Sequence, residues 1–200
     1  MTSEPIRDPD SDHLLTPANS ALVVIDYQPV QVGSIRSMDR DILVANIVRV
    51  ARIASLYRLP IVLTTVNVKT GVNQPTIDRL RQVLPRIEEI DRTTMNSWED
   101  VAFHDAVLAT ERKKLIMTAL WTEVCLTFPA LDAMRDGFET YPVVDAVGGT
   151  SLEAHRAAID RLTQAGAKPV SWVQMLCELQ RDWARTDTEA EFADILFHST

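Results

Sequence analysis

Short, wholly apolar runs alternate along this chain with stretches whose apolar residues recur at helical spacing, and no other feature restricts its fold so tightly. Residues 21–25 (ALVVI) are apolar at every position, the pattern of a strand covered on both faces. Residues 40–57 follow with apolar side chains at Ile42, Leu43, Ile47, Val50, Ile53, Ala54 and Tyr57, a helical period. The alternation continues. Strands are expected over 60–66 (PIVLTTV), 87–90, 114–119 (KLIMTA), 139–144 and 168–170. Helices are expected over 76–83, 98–110, 122–136, 152–165 and 173–184, with a last amphipathic stretch over 189–197. Asn96 or Ser97 caps the helix that begins near Trp98, and Gly137 and Gly166 stop the helices before them.

Strands alternating with helices predict an α/β fold: a three-layer α/β/α arrangement with a parallel sheet of about six strands and right-handed crossovers. The 200 residues, 46% of them hydrophobic, suit a single domain over residues 20–200. Residues 1–19 carry Pro5, Pro9 and Pro17 among Asp and Ser, and read as an irregular arm that packs on a neighbouring subunit.

Charge and leader signals narrow the function. A net charge of −8 repels phosphate backbones, which argues against a nucleic-acid partner. No apolar run is long enough to span a bilayer, so no membrane association is expected. The polar, acidic start MTSEPIRDPDSDHLL lacks the marks of a secretory signal, which places the protein in the cytoplasm. Thiols stay reduced there, so Cys125 and Cys177 are expected as free thiols.

In open parallel sheets ligands sit at the carboxyl ends of the strands. That rule selects Asp26, then Thr64, Thr65 and Asn67, then Asp91 and Arg92, then Cys125 at the start of a helix, and finally Asp145. A helix N-terminus stabilises an anion and lowers a thiol pKa, which would make Cys125 a nucleophile; the competing reading is a small buried apolar residue. Asp26 is either a general base or a turn-forming Asp, and Arg92 either an electrostatic partner or a surface arginine. Lys114 precedes its strand and lies on the order of 15 Å from the crevice end, too far to serve Cys125. His104 and His155 read as solvated, Cys177 as core, and Trp172 and Trp183 as packing residues. No His pair has metal-ligand spacing, so neither a metal nor another cofactor is expected.

The segments ALVVIDYQ, LPIVLTT, MNSWED, KKLIMTALWTEVCLTFPALDAMRDGFE and CELQRDWAR resemble cysteine hydrolases of the isochorismatase-like superfamily, nearest its YcaC-like members, and TEVCLTFPAL is the most specific of them. The resemblance implies a triad of Asp, Lys and Cys that cleaves a small molecule through a thioester. By match, Asp26 is the acid and Cys125 the nucleophile. It implies a cis peptide at Leu120–Trp121 and an oxyanion hole from the Trp121 and Cys125 N–H groups. It also implies a pocket lined by Thr65, Asn67, Trp98, Trp121 and Thr122, and a homo-oligomer contacting through the arm and the C-terminal helices. The family's lysine segment, K-x-x-x-S-A-F, is represented by RTTMNSW, which puts Arg92 in its place; a shift of one residue would put Asp91 there instead. Zinc-dependent nicotinamidases of the superfamily carry an Asp-His-His set after the second strand, and TTVNVKTGVN has no histidine. The expected activity is therefore hydrolysis of an amide or related acyl bond. The rival readings are a small-molecule binding protein impaired by the arginine and a redox-responsive thiol protein.

Overall fold

A computed structural model describes Pro5 and residues 8–198. Its elements run β1 (Ser20–Ile25), α1 (Pro29–Ser34), α2 (Arg40–Leu56), β2 (Ile61–Val66), α3 (Asp78–Val83), β3 (Glu89–Arg92), α4 (Val101–Leu108), β4 (Lys114–Ala119), α5 (Thr127–Arg135), β5 (Glu139–Pro142), α6 (Leu152–Gln164), α7 (Trp172–Gln180) and α8 (Thr186–Phe197). A 3₁₀ turn (Ser97–Glu99) precedes α4, and a π turn (Thr122–Leu126) precedes α5.

All pairings in the sheet are parallel, in the order β3-β2-β1-β4-β5. β1 and β4 lie side by side near its middle, and every residue of both is buried. Their continuous apolar character follows from being covered on two faces. Leu22 and Val24 of β1, with Ile116 of β4, join a core beneath α2, α7 and α8. Ala21, Val23 and Ile25, with Leu115, Met117 and Ala119, join a second core with α4, α5 and Leu162 of α6. Alternate residues of one strand thus feed two helical layers, and the three-layer expectation holds.

The sheet has five strands rather than about six. Residues 168–170 run beside β5, with Lys168 and Val170 N–H donating to the Thr140 and Pro142 carbonyls at 2.9 Å, but they make a β-bridge at Val143–Val170 and no strand. The segment is short, Ser171 already caps α7, and Pro142 has no N–H to offer. The helix expected over 122–136 is divided, its first turn widened to π geometry. Two other readings change. Ile42 is 56% exposed, since α2 turns Leu43 and Ile47 inward instead. Cys177 is exposed, because Met175, Leu176 and Leu179 form the buried stripe of α7.

The amino-terminal edge of the sheet is closed by residues 8–19. Leu15 is fully buried and its N–H donates to Glu178 Oε2 at 2.7 Å, while Asp12 pairs with Arg181 at 2.8 Å. Lys114 sits at this end, in register with Ser20, and its Nζ donates to the Leu14 carbonyl at 2.9 Å and to that of Asp12. It is removed from the crevice end as the strand geometry requires.

Ile116→Ala should cost about 2–5 kcal/mol through lost burial and the cavity left behind. The exposed Ile42→Ala should stay within about 0.5 kcal/mol of the parent. Urea unfolding midpoints with unchanged slopes would establish both, and equal losses would contradict the core assignment.

Candidate active site

β2 and β3 extend the sheet on one side of β1, and the chain then returns to lay β4 on the other side. The strand order therefore reverses between β1 and β4, which opens a crevice at their carboxyl ends. Asp26 is the first residue beyond β1. Its φ of 62° puts it in the left-handed region, a conformation that costs a non-glycine residue on the order of 1–3 kcal/mol. The turn is held by Asp26 N–H donating to Thr64 O at 3.0 Å and Gln28 N–H donating to Asp26 O at 2.8 Å.

Arg92 ends β3 and reaches across β2 to Asp26. Its two terminal nitrogens donate to the two carboxylate oxygens at 2.7 and 2.8 Å, and Nη1 also donates to the Thr65 carbonyl at 3.1 Å. Both side chains are wholly buried. Burial opposes the guanidinium charge, but the hydrogen bonds and charge of Asp26 prevail and hold Arg92 above its ordinary pKa. Arg92 Nε is buried and has no partner among the described residues. Asp91 faces elsewhere, accepting from Thr65 Oγ1 and from the Val68 and Lys69 N–H groups at 2.8–3.0 Å. Burial works against its charge, yet these donors bring it below its usual pKa. Arg92, not Asp91, thus stands against Asp26.

Cys125 lies inside the π turn and is 8% exposed. The chain entering this turn runs beside the end of β1, Leu120 N–H donating to Ile25 O at 3.1 Å, so the charges of Asp26 and Arg92 act on the thiol. The expected low thiol pKa is not what this environment produces. Burial first, and then the adjacent Asp26 carboxylate, push the thiol up to about 12; Arg92 and the Trp121 N–H pull the other way and lose. Arg92 is already engaged by both oxygens of Asp26, so little of its charge is left for the sulfur. This environment favours the neutral thiol over the thiolate.

Leu120–Trp121 is a cis peptide. The Trp121 indole N–H donates to Ser34 Oγ at 2.6 Å, tying the ring to α1. Thr122 is fully buried; its N–H donates to Gly148 O at 2.9 Å, and its hydroxyl lies 2.9 Å from His155 Nδ1. Against the expectation of a solvated side chain, His155 is half-buried, because its place in the first turn of α6 brings it against Thr122. Thr65 gives its hydroxyl to Asp91 and its carbonyl to Arg92. Asn67, at φ 63°, donates its N–H to Arg92 O at 2.8 Å and accepts from Asn73 N–H, shaping the loop after β2. The Trp98 indole N–H donates to Asp136 Oδ2 at 2.8 Å, and its ring packs edge-on against Phe103, His104 and Phe138. Asp136 follows the last residue of α5, so the polar atom of Trp98 is committed there, while its ring joins the same apolar core as Cys125. Asp145 is likewise structural: Oδ1 accepts the Trp172 N–H at the start of α7.

Asp26 and Arg92 are therefore paired beside the turn that carries Trp121, Thr122 and Cys125, and the indole N–H of Trp98 is given to Asp136. A separate cavity of about 400 Å³ opens near the amino ends of β2 and β3, lined by Ile61, Leu63, Ile87 and Ala106 among others. It is at the opposite edge of the sheet from Cys125. Among the described residues no group of three or more His, Cys, Asp or Glu could hold a metal ion, and no helix is long and apolar enough to cross a membrane.

The family model described as Isochorismatase domain matches residues 20–174. The Escherichia coli (strain K12) protein named Probable hydrolase YcaC is 37% identical over 172 residues, 86% of this chain and 82% of that protein. Among solved structures, YcaC from Pseudomonas aeruginosa with hexane-2,5-diol and covalent acrylamide superposes with a TM-score of 0.86 at 34% identity, covering 92% of this chain and 90% of that one. The Escherichia coli YcaC gene product, described as an octameric hydrolase of unknown specificity, gives a TM-score of 0.82 at 30% identity over 97% of both chains. The chain belongs to the isochorismatase-like hydrolase family and is most like its YcaC members.

Proposed function

We propose that this hydrolase cleaves an amide or related acyl bond of a small molecule with Cys125 as nucleophile. The observation that carries the reading is the buried carboxylate: Asp26 is gripped by Arg92 on both oxygens at the end of the strand beside which the Cys125 turn begins. As Sγ attacks the carbonyl carbon, the thiol proton passes to Asp26, so the sulfur need not exist as a free thiolate beforehand. The carbonyl oxygen, now an oxyanion, is held by the Trp121 and Cys125 N–H groups. Collapse breaks the carbon–nitrogen bond, and the departing amine takes the proton from Asp26. Water then attacks the thioester, loses a proton to Asp26 and releases the acid; that proton returns to sulfur.

Arg92 cannot relay protons, since its guanidinium keeps its own. Its part is to keep the Asp26 carboxylate ionised and aimed. Thr65 and Asn67 hold Arg92 through their backbones, and Trp121 and Thr122 form the wall beside the sulfur. The Pseudomonas aeruginosa relative that carries a covalent acrylamide supports the reading, because that electrophile bears a primary amide and requires a nucleophile to bond it. The octameric Escherichia coli relative supports a homo-oligomer here as well.

Cys125→Ala and Cys125→Ser should each lower turnover of small primary amides, read as ammonia release, by at least about a hundredfold. Retained turnover in both would remove the nucleophile from the scheme. Alkylation of Cys125 by acrylamide, followed by peptide mass, should keep accelerating as pH rises beyond 9, since the thiol is pushed up to about 12. A rate already level at pH 7 would mean a preformed thiolate. The linkage has the same sign: the raised pKa contributes stability that is complete below the ordinary value of 9.0 and is lost as pH climbs towards about 12. Arg92→Lys replaces a planar two-oxygen grip with a point charge, and kcat/KM should fall roughly tenfold or more. A gain in activity would instead favour the reading in which the arginine impairs catalysis.

A further inference from the structure

The π turn that carries Cys125 is fastened on one side by a loop and helix with no part in the chemistry described above. Thr122 N–H donates to Gly148 O at 2.9 Å, and Leu120 forms a bridge with Gly148. Glu123 Oε1 accepts from the Thr150 N–H at 3.0 Å and the Thr150 hydroxyl at 2.6 Å. Ser151 caps α6 through Ala154 N–H at 3.0 Å, and one residue later His155 brings Nδ1 to 2.9 Å from the Thr122 hydroxyl. There is no slack in the junction. A Cβ on Gly149 would lie 2.6 Å from Glu123 Oε2 and 3.1 Å from the His155 backbone nitrogen. One on Gly148 would meet Ile35 Cγ2 at 2.8 Å.

Thr122 occupies a decisive place in the chain. It follows Trp121, whose carbonyl accepts the Leu126 N–H at 3.2 Å, and its own carbonyl accepts from the Thr127 hydroxyl at 2.7 Å at the entry to α5. A rotation at Thr122 would displace both proposed oxyanion donors together. The backbone contact to Gly148 fixes one point of this residue, and the hydroxyl contact to His155 fixes a second.

We infer that His155 is a positioning residue, which holds the Thr122 hydroxyl so that the Trp121–Cys125 turn presents its N–H groups to the oxyanion; the inference rests on the cysteine-hydrolase reading of that turn. An imidazole suits the task in its neutral form, when Nδ1 accepts the Thr122 O–H. Burial keeps His155 below its ordinary pKa; the Glu123 carboxylate opposes this and Arg156 reinforces it.

Three proteins decide the matter: the parent, His155→Ala and His155→Asn. The asparagine can still offer an acceptor near the Nδ1 position but fills less space. His155→Ala should lower kcat roughly tenfold or more and leave KM within about twofold, the signature of a misplaced transition-state contact. His155→Asn should restore most of that loss. Hydrogen exchange of the peptide spanning 120–127 should accelerate in the alanine variant and return towards the parent rate in the asparagine variant, while peptides from β1 stay unchanged. Unaltered kcat and unaltered exchange in His155→Ala would overturn the assignment. So would an asparagine variant no better than alanine, which would reduce His155 to a space filler. If Cys125→Ser retained turnover, the cysteine reading would be what had failed, and the exchange measurement would still judge the His155 clamp.

Discussion

The buried pair of Asp26 and Arg92 is the constraint around which the carboxyl edge of the sheet is arranged. Taking two ionised side chains wholly out of water costs several kcal/mol for each. Only good geometry offsets such a cost, and here two parallel N–H···O contacts of 2.7 and 2.8 Å supply it, with the Thr65 carbonyl taking a further donor. The pair spans β1, β2 and β3, so those strands must end level with one another. The register agrees: Ile25 lies opposite Thr64, and Val66 opposite Arg92. The left-handed turns at Asp26 and Asn67 follow from the same demand, since each bends the backbone where a strand must stop to present a group.

The remainder of the architecture supports this edge without touching it. β1 and β4 are apolar on both faces, and their alternate residues anchor the helices of two layers. Their adjacency places the residue after β1 beside the turn after β4. At the other edge Lys114 and Glu178 fasten the entering chain to the sheet and to α7. One end of the sheet is thus sealed by residues 8–19, while the buried Asp26–Arg92 pair lies at the other.

Much of this was legible in the residues. The runs ALVVI and KLIMTA can only be strands with two covered faces, and the strand-end rule pointed to Asp26 and Cys125 before any relative was considered. Arg92 needed the family pattern, because a lone arginine after a weakly marked strand looks like a surface residue; Asp91 beside it stayed an equal candidate until the pairing was seen. Other features depend on distances that periodicity does not encode. His155 sits on a helix whose mean character is polar, and only the close approach of residues 148–150 brings it to Thr122. Cys177 lies in an apolar run, but the face that α7 buries was decided by its neighbours Met175, Leu176 and Leu179. Trp98 follows the motif yet turns towards Asp136. The thiol departs from the sequence expectation for a clearer reason: helix N-termini favour anions, but an almost closed surface and a neighbouring carboxylate charge outweigh a dipole.

That neutral sulfur has a further consequence. Oxidants and soft alkylating agents select cysteines by their thiolate fraction. A cysteine kept protonated beneath 8% exposure is therefore slow to be damaged while it waits. Cys177, open to solvent on the outer face of α7, meets such reagents first. The nearly closed surface that pushes the Cys125 thiol up thus also shelters it from bystander reagents.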